Sequence, residues 1–192
     1  MIEKNGLKIL FIDIVFLIIS AILFKQLAIV FLAFAVFTLI FFRDPPRKIG
    51  IGVVSPADGR IDYISGNRLE IFMSPFDCHV NRSPVNGRVV RIRFKEGKKP
   101  PAFKRCENAR MNEILIKNED GYFKVIQVAG IFARRIVCYV KEGDFIKKGE
   151  KIGSIVFGSR VILEVPECYK FVKRVGERVK AGETIALRYE NT

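Results

Sequence analysis

The feature that most constrains this chain is a pair of nearly unbroken apolar runs, Leu7 to Phe24 and Leu27 to Phe42, separated only by Lys25 and Gln26. They are 18 and 16 residues long. A membrane-crossing helix needs about 20 apolar residues at ~1.5 Å rise each, so the runs suit two short spans in a hairpin or one long tilted helix with a buried defect. Both are apolar all round, unlike the one-sided stripe of a helix lying on a soluble core. Lys4 precedes the first run and Lys8 stands at its start, and Arg43, Arg47 and Lys48 follow the second. A hairpin puts both basic flanks on the cytoplasmic face, as the positive-inside bias favours, whereas a single span splits them. No small-residue cleavage site follows the first run, as a signal peptide would require. The expectation is a transmembrane helical hairpin over residues 1–42 that anchors the remaining chain on the cytoplasmic side of the cell membrane. Asp13, inside the first run, has no partner that the local sequence reveals.

Of the formal net charge of +13, +12 falls on residues 43–192. Each Lys or Arg near an anionic headgroup surface is worth about 1 kcal/mol, so an anionic membrane surface is the expected partner of this charge. Nucleic acid is not, because no nucleic-acid motif is present and the aromatics lie mostly in apolar runs and strands. A composition 49% hydrophobic and 28% charged supports a buried core and excludes wholesale disorder. The chain has one His, and its cysteines, Cys78, Cys106, Cys138 and Cys168, show no C-x-x-C pair. Zinc-ligand spacing is therefore absent and no metal is expected. The thiols read as reduced groups in a half-buried sheet, with two long-range disulfides left open.

Arg43-Asp44-Pro45-Pro46-Arg47 cannot continue a helix and marks a domain boundary. Beyond it, short β-branched runs alternate with turn residues at 59–64, 87–94, 112–116, 124–128, 136–140 and 161–165, which predicts an all-β sandwich or barrel for residues 43–192. Phe132 to Arg135 could form one helical turn. Gly143 to Ile152 recurs as Gly176 to Ile185, each copy reading Gly-acid, apolar, Lys-x-Gly-Glu, apolar. This repeat resembles the barrel-sandwich of lipoyl and biotinyl carrier domains, whose modified lysine lies in a hairpin between the copies. Here that place holds Phe157-Gly158-Ser159-Arg160, which disfavours a carrier.

Six segments, in order, carry a second resemblance: Phe42 to Arg47, Ser55-Pro56-Ala57-Asp58-Gly59, Ser74 to Pro84, Asn108 to Asn112, Gly130 to Ile136, and Phe157-Gly158-Ser159-Arg160. With them the chain resembles the phosphatidylserine decarboxylase family, in particular its short forms. The resemblance implies a proenzyme that cuts itself between Gly158 and Ser159, leaving a β chain of residues 1–158 and an α chain of residues 159–192. Ser159 would attack the Gly158 carbonyl, and elimination and loss of ammonia would leave a pyruvoyl group, the only cofactor implied. In turnover the serine amine of the substrate, phosphatidylserine or archaetidylserine, would form a Schiff base with that ketone, and loss of carbon dioxide would give the ethanolamine lipid. Serine is a weak nucleophile and needs a base and oxyanion donors.

His79 is the only side chain whose ordinary pKa lies near neutrality, and the resemblance makes it base or proton donor. Asp58 becomes a candidate to orient it, as the acid does in hydrolase triads. Arg82, Arg134, Arg135 and Arg160 are candidates to grip carboxylate or phosphate bidentately, with Asn81 and Asn108 as orienting hydrogen-bond groups. The sequence departs from the family pattern at Arg82, where longer members carry a second His, and at Val156 and Ile162 beside the cleavage site. A homo-oligomer is left open. The competing reading is a non-enzymatic membrane-anchored adaptor on the same sandwich, with Gly158-Ser159 only a turn.

Overall fold

The two apolar runs fold as helices α1 (Lys4–Leu23) and α2 (Lys25–Phe41) in a computed structural model described over residues 4–23, 25–97, 109–130, 135–156 and 159–189. They lie antiparallel: Thr38 Oγ1 donates to Asp13 Oδ2 at 2.7 Å, and the Phe16 and Phe31 rings stack at 5.3 Å. Asp13 thus finds its partner 25 residues away, across the hairpin. Gly6 lies against Phe42, where an added Cβ would come within 2.3 Å of the Phe42 Cβ. The hairpin forms as expected, but the expected spans do not follow from it. Among the described residues no helix is long and apolar enough to cross a membrane; α1 carries Lys8 and Asp13, and α2 has 17 residues. Large apolar side chains remain exposed along the pair, Phe11 and Ile29 each at 69%. The unit containing the helices runs to Pro46, inside the proline-containing segment 43–47, and Arg43 folds back to donate to the Ile40 carbonyl at 2.6 Å.

The second unit, Arg47–Thr192, is built of strands: β1 (Val53–Val54), β2 (Gly59–Ser65), β3 (Arg68–Met73), β4 (Val80–Arg82), β5 (Gly87–Lys95), β6 (Met111–Asn118), β7 (Gly121–Ala129), β8 (Arg135–Cys138), β9 (Phe145–Ile146), β10 (Lys151–Val156), β11 (Ser159–Glu164), β12 (Tyr169–Phe171), β13 (Arg178–Val179) and β14 (Thr184–Arg188). The all-β expectation holds. Among the described residues, eight strands form one sheet in the order β13-β2-β3-β11-β7-β6-β5-β9, beside two three-stranded sheets, β1-β14-β12 and β4-β10-β8. Alternate residues such as Ile61, Ile71, Ile114, Val125, Val161 and Leu163 turn inward and are fully buried in one core. The expected helical turn at Phe132 to Arg135 lies outside the described residues except for Arg135, which opens a strand.

The pairings are written twice. The run β13-β2-β3-β11 corresponds to β9-β5-β6-β7, and β1-β14-β12 to β4-β10-β8; the copies join where β11 pairs with β7. The inner copy, β4 to β10, is continuous, and it is inserted into the outer copy between β3 and β11. Val54 N donates to Pro84 O at 3.0 Å and Arg82 N to Pro56 O at 2.9 Å, a reciprocal pair across the copies. Gly149 N and Gly182 N donate to Ser83 O and Ser55 O at 2.8 and 2.9 Å from turns whose glycines have φ of 82° and 96°. The repeat expected at 143–152 and 176–185 is therefore one part of a larger one.

Candidate active site

The chain leaves the outer copy after Met73, crosses to the inner copy through residues 74–79, and re-enters the outer copy at Ser159. The first crossing is shaped locally. Ser-Pro-x-Asp favours a tight turn, since Pro fixes φ and the carboxylate can accept from the backbone. Asp77 N donates to Ser74 O at 3.0 Å, while Ser74 N and Oγ donate to Asp77 Oδ2 at 2.8 and 2.7 Å. Arg178 donates to the other carboxylate oxygen. The turn delivers His79, 3% exposed, with Nδ1 2.8 Å from the Asp77 carbonyl oxygen. A carbonyl only accepts, so Nδ1 carries the proton and, in the neutral ring, Nε2 holds the lone pair.

The return crossing is held on both sides. β10 pairs with β8 as far as Val156, opposite Arg135, and Ile155 N donates to the His79 carbonyl at 3.2 Å. β11 begins at Ser159, in register with Met73 on one side and Ala129 on the other. The strand carrying Ser159 thus starts beside the residue from which the His79 crossing departs. Gly158 lies outside the described residues, as do Arg134 and Asn108.

The other expected site residues have different tasks. Asp58 accepts from Arg47 at 2.8 Å and from Ala181 N at 2.8 Å, and it is the Asp77 carbonyl that holds His79 Nδ1. Its place is that of Asn86 in the inner copy, which accepts from Lys148 N at 2.7 Å. Burial works against the Arg47 charge, but the hydrogen bond and charge of Asp58 outweigh it and hold the guanidinium above its usual pKa. Burial pushes the neighbouring Cys78 thiol up, with Asp58 adding to the rise and Arg47 opposing it. Arg160 is 5% exposed and bonded to Asp62 at 2.8 Å and Glu70 at 2.6 Å. Arg82 donates to Gly149 O at 2.9 Å. Asn81 lies fully buried in an amide chain: Asn112 donates to Gln127 at 2.9 Å, Gln127 to Asn81 at 2.8 Å, and Asn81 contacts Met73 Sδ at 3.9 Å. Such a chain fixes register beside Ser159 and leaves Asn81 no open side for a substrate. Arg135 alone among the described candidates is exposed at the junction. Sequence reasoning missed Asp77, Arg178 and Arg47; the Ser-Pro-Phe-Asp turn signal could have singled out Asp77.

Among the described residues no group of three or more His, Cys, Asp or Glu could hold a metal ion. Residues 34–187 match the sequence profile of the phosphatidylserine decarboxylase family. A protein of Archaeoglobus fulgidus, named provisionally as an archaetidylserine decarboxylase proenzyme, is 60% identical over 191 residues, covering 100% of this chain and 98% of its own. A Methanosarcina barkeri protein with the same provisional name is 41% identical over 84% of this chain and 81% of its own. The phosphatidylserine decarboxylase proenzyme of Chlorobium chlorochromatii is 40% identical, covering 81% of each.

Proposed function

The chain belongs to the phosphatidylserine decarboxylase family, and we propose that it decarboxylates a serine phospholipid after cutting itself between Gly158 and Ser159. The observation that carries this reading is the junction itself. Ser159 begins a strand paired on both sides, the preceding strand is paired to Val156, and the His79 crossing is bonded to that preceding strand. A cut there severs no strand, and the strands on either side of it, β10 to Val156 and β11 from Ser159, keep their pairing.

The Ser159 hydroxyl attacks the Gly158 carbonyl carbon; the amide C–N bond breaks as an ester C–O bond forms. Removal of the Ser159 α-proton then expels the Gly158 carboxylate, and water replaces the amine as ammonia leaves. The fixed Nδ1–H makes Nε2 of His79 the side that takes a proton. Asp58 bears on this segment through Arg47 and Cys78. The residues present fit a pyruvoyl group, because the terminus that would carry it is anchored by β3 and β7. Once formed, the group supplies a ketone that accepts the electron pair left as carbon dioxide departs. Arg135 is exposed opposite Val156, which supports assigning it, of the four arginine candidates, to a phosphate or carboxylate of the substrate.

The helical pair seats in the membrane as a re-entrant hairpin, its exposed apolar side chains facing lipid, and the basic second unit works at the cytoplasmic face. Carbonate-resistant sedimentation with membranes is expected; release by carbonate removes this localisation. The similarity to the Archaeoglobus protein makes archaetidylserine the first substrate to test, beside phosphatidylserine.

Denaturing intact-mass analysis tests the main reading. The wild type should give two chains, the smaller one lighter by one ammonia than an unmodified Ser159-to-Thr192 peptide, and Ser159→Ala should stay full length and inactive. A single full-length mass from protein that releases carbon dioxide would overturn it.

A further inference from the structure

We propose that Arg178 is a positioning residue for His79, acting across the cleavage junction from the 159–192 side. The inference rests on the role of His79 proposed above and adds how its ring is set. Arg178 grips the Asp77 carboxylate through one oxygen, while the other accepts from Ser74 N and Oγ. The main-chain carbonyl of the same Asp77 holds His79 Nδ1. Asp77 is therefore clamped by its side chain and orients the histidine by its backbone. Its side chain is 8% exposed, so the ion pair has one buried end.

The repeat separates this role from simple support of the fold. Arg178 stands in register with Arg60 as Phe145 stands with Arg88. The two short strands are placed by the same backbone bonds, Gly176 N to Ile61 O and Gly143 N to Val89 O, both 2.7 Å. The inner copy makes this edge with a Phe that is 66% exposed. The strand does not require an arginine; the Asp77 turn uses one. In the proposed two-chain enzyme, the small chain would carry the cation that sets the tautomer of the histidine on the large chain.

A single histidine gives an unambiguous spectrum. Untagged full-length Ser159→Ala protein in detergent, labelled with ¹⁵N at the imidazole, should show the neutral Nδ1–H tautomer. Adding Arg178→Gln should let the two tautomers average, and Arg178→Lys should restore the fixed one. Arg178→Phe, the residue that the inner copy tolerates at this place, should fold and still lose the fixed tautomer. In the Ser159 background, Arg178→Gln should lower kcat on the order of 10-fold with KM little changed, Arg178→Lys recovering most of it. An unchanged tautomer in both Arg178→Gln and Arg178→Phe, or a raised KM at constant kcat, overturns the proposal, the latter because Arg178 would then bind the lipid. If the tautomer depends on Arg178 but the wild type neither cuts itself nor releases carbon dioxide, the positioning stands and the functional reading falls.

Discussion

Asp58 and Asn86 occupy the same place in the two copies and divide the work of a carboxylate from that of an amide. Each accepts a backbone N–H from the facing turn, Ala181 at 2.8 Å and Lys148 at 2.7 Å. Only Asp58 also meets a buried cation, Arg47, whose side chain is 8% exposed. Asp58→Asn should keep the turn and weaken the contact with Arg47, costing about 1.5–3 kcal/mol, the range for hydrogen bonds to charged groups. Asp58→Ala should cost more, because Ala181 N–H loses its acceptor as well. Thermal unfolding of the full chain in detergent compares them; equal losses would mean that the shared backbone contact contributes nothing. At this scale His79 was legible because no other histidine competes with it. Arg178 was not, since its partner Asp77 lies 101 residues away and local patterns carry no such distance.

At the scale of elements, β11 is decisive because it is paired on both sides and carries both Ser159 and Arg160. Arg160 belongs to an ion network in which Glu70 also meets Arg68, and Glu164 meets both Arg68 and Lys124. Replacing Arg160 with Leu strips Asp62 and the 3%-exposed Glu70 of their shared guanidinium. Removing one partner of a buried pair costs about 3–5 kcal/mol, so Arg160→Leu should unfold at distinctly lower denaturant while Arg135→Leu should not; equal midpoints would reduce the network to surface charge. Six strands were visible as β-branched runs. β3, which pairs with β11, was not, because Arg68-Leu69-Glu70-Ile71-Phe72-Met73 has one β-branched residue and hides its charges in ion pairs. The helical hairpin was legible from apolar length alone, but the bond from Thr38 to Asp13 was not.

For the whole molecule, the half of the repeat that recurs at a 33-residue offset was readable, and the rest was not. Ser55 to Arg60 and Ser83 to Arg88 recur at 28, and the inner copy interrupts the outer one, so no single offset aligns both. The interruption also governs what a cut at the junction would do. Segment 159–192 contributes β11 between β3 and β7 and β14 beside β1, and it bonds back through Arg178 to Asp77 and through Tyr169 and Arg188 to Asp120. After cleavage the two chains should co-elute in detergent and part only under denaturing conditions; separation under native conditions would show that these contacts do not suffice.

A fold written twice offers most positions in duplicate: Ser55 has Ser83, Asp58 has Asn86, Gly149 has Gly182. A centre that must exist once per chain needs a place where the doubling lapses, and the two crossings are such places. His79 lies on one of these passages and Ser159 opens the strand that follows the other, so a duplicated ancestor that gained them would have gained the proposed reaction centre once instead of twice.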